Sequence, residues 1–233
     1  MTHQEWIALR SDISRKAASI GVAVAIYGVS FGALGATTGL TIAQTQALSL
    51  LMFTGASQFA LVSTIASGGG SLAAIAAAML LGTRNAAYSL RMAPILKVNG
   101  ARKILASHLT IDESTAMGLA QDEAVDNGRA SRLGFWSTGL SVFVLWNLAT
   151  LLGSVTASAI GDPKALGLDA AIAAGLFALV WPQIKSRYAA ATALGGALVA
   201  LTLTPVMPAG IPVLAASTVA FIVGWSWSKQ GDL

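Results

Sequence analysis

The sequence predicts an all-α polytopic membrane protein, a bundle of about seven hydrophobic segments in a single domain over residues 1–233. Of its 233 residues, 55% are hydrophobic and only 10% are charged, whereas a soluble domain carries about a quarter charged residues. The charges are also segregated, since no Asp, Glu, Lys or Arg occurs from Ala17 to Thr83. Because lipid offers no water to backbone groups, uncharged runs of this length are expected to be membrane-spanning helices.

The hydrophobic segments are separated by short connections and by one long polar stretch. They cover roughly 17–39, 45–67, 70–96, 133–157, 165–182, 188–205 and 211–228. The polar stretch 97–132 carries five Lys and Arg residues. Since cytoplasmic loops of membrane proteins are rich in Lys and Arg, we expect 97–132, the turn at 183–187 and the C-terminus to be cytoplasmic.

Segment 45–67 is predicted to be broken or re-entrant, because it holds small and polar residues at its middle, namely Thr54, Gly55, Ser57 and Gln58. Non-helical backbone at membrane depth is tolerated where it lines a cavity. This segment also decides the side of the N-terminus. Seven complete crossings would place the basic residues around Arg15 outside the cell, and one re-entrant segment would place them inside.

Arg84 lies near the middle of segment 70–96, where a charge costs at least roughly 2.5–3.5 kcal/mol on insertion scales. Arg84, Tyr88 and Arg91 are spaced at i, i+4 and i+7, so they share one helix face. One interpretation is a guanidinium in a polar cavity that binds an anionic group such as a carboxylate, with Asn85 and Tyr88 beside it. The other is a structural arginine, bonded to helix-end carbonyls or to a partner subunit.

Two further groups of polar residues are candidates for the same site. Ser57, Gln58 and the backbone around Gly55 would complete it, or would serve helix packing instead. Asp112 and Glu113 follow Thr110, which with Glu113 fits a capping box and predicts a helix start. The acidic pair is expected either to cap that helix or to couple to protons and gate a cavity mouth.

Glycines and tryptophans have simpler interpretations. Gly28 and Gly32, and Gly35 and Gly39, have the GxxxG spacing of closely packed membrane helices. The tryptophans are interpreted as interfacial anchors, namely Trp136, Trp146, Trp181, Trp225 and Trp227.

Several function classes are disfavoured. The chain has no cysteine and only two histidines, so thiolate metal sites are excluded and no cofactor is expected. It carries no zinc-protease motif, no acid pair within a hydrophobic segment and no nucleotide-binding motif, so an enzyme is not expected. The net charge of +4 is explained by cytoplasmic Lys and Arg, and no nucleic acid partner is inferred.

The order of motifs resembles the AzlC family, the large subunits of bacterial branched-chain amino acid exporters. The resemblance rests on SFGALGATTGL, FTGASQFALV, GTRNAAYSL, HLTIDESTA and LGLDAAIAAGLFALVWP. It implies a multi-pass protein of the bacterial cytoplasmic (inner) membrane that exports neutral amino acids together with a small subunit of the AzlD type. By the same pattern, the family's recurrent polar positions are Gln58, Arg84, Asn85, Asp112 and Glu113.

The main hypothesis is therefore a secondary exporter of branched-chain or similar neutral amino acids, driven by the proton-motive force, in which Arg84 binds the substrate carboxylate. A structural membrane subunit whose partner carries the pathway is the alternative, with Arg84 as an assembly charge. A channel for small solutes is a third hypothesis.

Overall fold

A computed structural model describes residues 2–121, 128–160, 184–208 and 211–228, together with Phe177 and Trp181. Within these residues all regular structure is helical, as predicted. The α-helices are α1 (His3–Thr37), α2 (Ile42–Leu51), α3 (Ala56–Ala66), α4 (Ser71–Leu96), α5 (Ala101–His108), α6 (Asp112–Leu119), α7 (Arg129–Ala159), α8 (Arg187–Leu203) and α9 (Ile211–Ser228). The predicted segment 165–182 lies almost entirely outside the described residues.

By length and composition, two helices of the described chain, α1 and α7, are long and apolar enough to cross a membrane. They pack along each other over most of their length and form the centre of the bundle. α1 begins well before the predicted segment, because Thr2 and Glu5 form a capping box at its first turn. The turns that carry Arg10, Arg15 and Lys16 therefore continue directly into the apolar part of the helix.

Small residues allow the backbones of α1 and α7 to approach closely. A Cβ at Gly32 would collide with the Thr150 carbonyl oxygen, and one at Gly28 would lie 3.0 Å from the Trp146 carbonyl oxygen. Across the interface, the Ser154 hydroxyl donates to the Gly32 carbonyl oxygen at 3.2 Å. The packing role predicted for the GxxxG glycines is thus confirmed for Gly28 and Gly32, while Gly39 lies in the turn after α1 at a φ of 88°.

α1 and α7 run in the same direction. Gly21 faces Ser141, Gly28 faces Trp146, and Gly32 faces Thr150, so residue numbers increase together along both helices. The starts of the two helices consequently meet, with the Arg129 guanidinium 3.7 Å from the centre of the Trp6 ring. We call this end of the bundle, which holds the starts of α1 and α7, the basic end.

α4 runs antiparallel to α1 and α7. Its last turn reaches the basic end, where Arg132 of α7 donates to the Ile95 carbonyl oxygen at 3.4 Å. Its first residue, Ser71, therefore lies toward the opposite end of the bundle, since the helix has 26 residues. Three long helices, α1, α4 and α7, thus alternate in direction and frame the molecule.

The hairpin of α2 and α3 enters this frame from the opposite end. Thr45 packs on Gly35 near the end of α1, and the ring of Phe53 reaches Phe143 at mid-bundle, 5.1 Å between centroids. The chain then turns back, because Gln58 of α3 lies beside α2 and donates to the Leu48 carbonyl oxygen at 3.0 Å. The predicted break in segment 45–67 is confirmed and lies at residues 52–55.

A second hairpin, α5 and α6, enters from the basic end. His108 at the end of α5 reaches the same level as the first hairpin's tip, with its ring 6.0 Å from that of Phe53. α6 then returns along α7 to the basic end, where the Ser131 hydroxyl donates to the Gln121 carbonyl oxygen at 3.4 Å. The sequence predicts a helix start near Asp112 but not a hairpin inside the bundle, because 97–132 is a polar stretch between hydrophobic segments.

Candidate functional site

A cavity lies where the tips of the two hairpins meet. Its volume is about 60 Å³, which is well below the roughly 300–1,000 Å³ typical of ligand pockets. The first hairpin contributes residues 53–56, the second contributes 111–113, and the long helices contribute Val24, Arg84, Val142 and Trp146. The cavity therefore lies between two interrupted helices, near the middle of the bundle.

Arg84 bonds to both hairpin tips. Its Nη1 donates to the Asp112 Oδ2 at 2.8 Å, and its Nη2 donates to the Thr54 carbonyl oxygen at 3.3 Å. That carbonyl is free to accept because α2 has ended at Leu51 and the chain at 52–55 is not helical. The guanidinium is thus paired within the chain and about one third exposed, at 34%.

The start of α3 presents backbone donors to the cavity. Gly55 precedes the helix with φ 54° and ψ −86°, and no side chain caps the first turn. Nothing lies within 4 Å of the position that a Cβ on Gly55 would take, so the backbone here faces open space. Since the first N–H groups of a helix have no partner within it and carry a partial positive charge, this end of the cavity favours an anionic group.

Acidic groups face the same cavity from the second hairpin. Asp112 and Glu113 lie in the first turn of α6, as predicted, and both line the cavity. With Arg84 they make two acidic side chains and one basic side chain. An excess of carboxyl groups beside a bound arginine can accept a proton or an ammonium group.

The capping box predicted for α6 is wrong. The Thr110 hydroxyl donates to the Ala106 carbonyl oxygen of α5 at 2.8 Å and does not cap the new helix. Instead, the Ser114 hydroxyl accepts from the Ile111 N–H at 3.1 Å and donates to the Leu109 carbonyl oxygen at 2.6 Å. Ser114 therefore fixes the tip, and the carboxyl group of Glu113 is available to the cavity.

The structure separates other candidate residues from this cavity. Gln58 is fully buried and bonds to the backbone of α2, so it fixes the first hairpin. Ser57 lies on a neighbouring cleft between α3 and α4, which contains Met79 and Gly82. Asn85 and Tyr88 are half-buried on α4 and do not line the cavity. Of the predicted substrate-binding residues, the cavity brings together Gly55 and Arg84.

Trp146 is the site residue that the sequence analysis missed. It was predicted to be an interfacial anchor, but it is 2% exposed and lines the cavity. Its ring stacks on Phe31 at 6.1 Å and meets the edge of Phe59 at 6.3 Å. The GxxxG spacing was the one available signal, since Gly28 packs directly against Trp146.

Comparison with protein families gives one match, to the model of AzlC protein, over residues 19–160. The chain belongs to the AzlC family. The matched residues include the second half of α1 and the whole of α2 to α7, and hence both hairpins and every residue of the cavity. AzlC membership and the apolar helices indicate a membrane protein with a transport-related function, in a family associated with a partner subunit and not with catalysis. No curated protein and no solved structure matches the chain.

Proposed function

We propose that this AzlC protein is a secondary transporter that exports branched-chain or similar neutral amino acids across the bacterial cytoplasmic membrane. The observation that carries the proposal is the cavity itself, in which one guanidinium and two carboxyl groups lie between the tips of two hairpins from opposite ends of the bundle. Interrupted helices with their N-termini at mid-membrane are a recurrent way for transporters to bind charged groups of substrates.

An amino acid fits the polarity of this cavity. Its carboxylate would bind Arg84 and the uncapped start of α3, as anions bind at helix N-termini. Its ammonium group would bind Glu113 or Asp112. The apolar wall, which includes Val24, Phe53 and Val142, would hold an aliphatic side chain.

The Arg84–Asp112 pair suggests how export is coupled to protons. The substrate carboxylate competes with Asp112 for the same guanidinium. A proton on Asp112 removes the charge that holds Arg84 and so favours the exchange. The proton-motive force would then drive transport, and the chain itself offers no nucleotide-binding motif.

The internal pairing of Arg84 favours an exporter over a purely structural subunit. A charge that serves only assembly is expected to be unpaired until the partner subunit binds. The Arg84 guanidinium already bonds to Asp112 and to Thr54. A small AzlD-type subunit remains the proposed partner.

In this proposal α1, α4 and α7 cross the membrane, and the two hairpins re-enter from opposite sides. The N-terminus then lies on the same side as the α4–α5 connection, and the positive-inside rule makes that side cytoplasmic. In this proposal the C-terminus and the parts of 97–132 outside the tip of the second hairpin also lie on that side. The bilayer encloses the hairpin tips, which are tolerated there because they line a cavity.

Labelling of introduced cysteines tests this topology, since the chain has no cysteine of its own. In intact cells, Ser67→Cys in the α3–α4 connection is expected to react with a membrane-impermeant maleimide, whereas Asn99→Cys and Thr2→Cys react only after the cells are opened. All three residues are exposed. Labelling of Ser67→Cys and Asn99→Cys from the same side would contradict re-entry of the hairpins.

Efflux from proteoliposomes tests the function. The chain and its small partner are reconstituted together, and the vesicles are loaded with labelled valine, leucine, isoleucine or methionine. We expect efflux of at least one of them that accelerates when a pH gradient is imposed. An efflux rate that does not change with the pH gradient would indicate a channel. Absence of efflux for all four amino acids would overturn the substrate assignment.

A further inference from the structure

Three hydrogen-bonding groups in the cavity wall have no partner among the described residues, and the hydroxyl of Thr54 is one of them. The indole Nε1 of Trp146 is buried without a partner among the described residues, and so is Nε of Arg84. Leaving a buried donor unpaired costs roughly 1–3 kcal/mol, so buried polar groups are normally paired. Both side chains belong to the same cavity wall, which points to an acceptor that enters with a ligand.

The surroundings of Trp146 hold its ring firmly. Phe31 and Phe59 contact it on two sides, and Gly28 of α1 packs against its backbone. The ring cannot turn outward to water without displacing these groups, because the bundle is closely packed here. The direction of its N–H is therefore fixed, and because Nε1 is buried in this conformation, an acceptor reaches it only when the cavity widens beside the ring.

We propose that Trp146 is a substrate-binding residue whose indole N–H donates a hydrogen bond to the carboxylate of the transported amino acid. The inference rests on the proposed function and adds a second carboxylate ligand to Arg84. The indole nitrogen can only donate a hydrogen bond, so it can bind a carboxylate oxygen. Because the indole is uncharged, it does not repel the neighbouring Arg84 when no substrate is bound. Its ring face at the same time packs against the aliphatic side chain of the substrate.

The proposal also explains why one arginine serves two carboxylates. When Asp112 holds Nη1 of Arg84, the free Nε, the indole N–H and the first N–H groups of α3 still offer donors. A substrate carboxylate can therefore bind these groups before it displaces Asp112. Trp146 consequently contributes to the affinity for the substrate carboxylate. Asp112 and Glu113 bind the substrate ammonium group and accept the coupling proton.

Trp146→Phe removes the N–H and keeps an aromatic ring against Phe31 and Phe59. The measurement is equilibrium binding of labelled leucine to the purified complex, in competition with unlabelled leucine and with 3-methylbutylamine, which is leucine without its carboxylate. Because a hydrogen bond to a charged group is at stake, the Kd for leucine is expected to rise about 10- to 100-fold. The Kd for 3-methylbutylamine is expected to stay within about twofold of the wild type.

Trp136→Phe is the matched control, since this tryptophan lies on the same helix, ten residues nearer the basic end, and does not line the cavity. It is expected to leave both dissociation constants unchanged. An equal loss of affinity for leucine and for the amine in Trp146→Phe would show a packing role and overturn the proposal, as would an unchanged affinity for leucine. A wild-type complex that binds no leucine would instead overturn the proposed function, and this inference with it.

Discussion

Arg84→Gln is expected to reduce amino acid efflux by about 30-fold. The glutamine is uncharged, cannot reach both hairpin tips and leaves Asp112 without its partner in the cavity. Truncating one member of a buried charge pair costs roughly 2–5 kcal/mol. Because the Arg84–Asp112 pair is about one third exposed, we expect the lower end of this range, which corresponds to a loss of this size. The measurement is the initial rate of leucine efflux from proteoliposomes, with the amount of reconstituted complex determined in parallel.

Arg91→Gln provides the control for that experiment. Arg91 is seven residues further along α4 and exposed, so its removal takes the same charge from the same helix without touching the cavity. Its efflux rate is expected to match that of the wild type. If Arg84→Gln transports normally, or if it fails only because the small subunit no longer copurifies, the substrate-binding role of Arg84 is wrong and the assembly role is favoured.

Gly32→Ala is expected to lower the stability of the protein strongly, because Gly32 lies at a close backbone approach of the α1–α7 interface. The new Cβ would collide with the carbonyl oxygen of Thr150 and come within 2.8 Å of the Ser154 nitrogen. Both are backbone atoms of α7, which cannot turn aside as a side chain can. The loss is expected at the upper end of the roughly 1–3 kcal/mol typical of overpacking, and the melting temperature in detergent measures it.

Gly224→Ala is the matched control for this substitution. It also places a methyl group inside a helix, α9, but nothing lies within 4 Å of the new atom. The substitution therefore brings only the gain in helix propensity, up to about 1 kcal/mol, and the melting temperature is expected to stay or to rise slightly. Equal destabilisation by both substitutions would contradict a close approach at Gly32.

The sequence alone allowed several features of the site to be predicted, for reasons that are local. Thr54, Gly55 and Gln58 interrupt an apolar segment, and such residues disfavour a continuous helix wherever lipid surrounds it. Arg84 was expected to have polar surroundings, because the free-energy cost of a charge in the middle of the membrane is high. These conclusions need only the cost of exposing a polar group to lipid, and the structure bears out the break and the polar surroundings.

The second hairpin and Trp146 could not be predicted in this way. α5 begins with Ala-Arg-Lys, and its composition is that of a surface helix, so nothing in the local pattern indicates that Leu109 and Ile111 are buried at mid-bundle. A tryptophan in a membrane protein is expected at the interface. Trp146 is buried instead because α1, more than 100 residues earlier in the chain, packs beside it. Such contacts follow from the tertiary fold, which pattern and propensity do not encode.

The first hairpin also constrains the order in which the protein can mature. α2 and α3 have 10 and 11 residues, too few for either to span a bilayer alone, and their open backbone at 52–55 cannot face acyl chains. α3 packs on α4, which follows it directly, whereas α2 packs on α7, where Gln46 bonds to Asn147 across a separation of 101 residues. The ribosome therefore delivers α2 long before α7, which completes its binding surface, has been made. The nascent chain must shelter it, in the translocon or against α1, until α7 has been inserted.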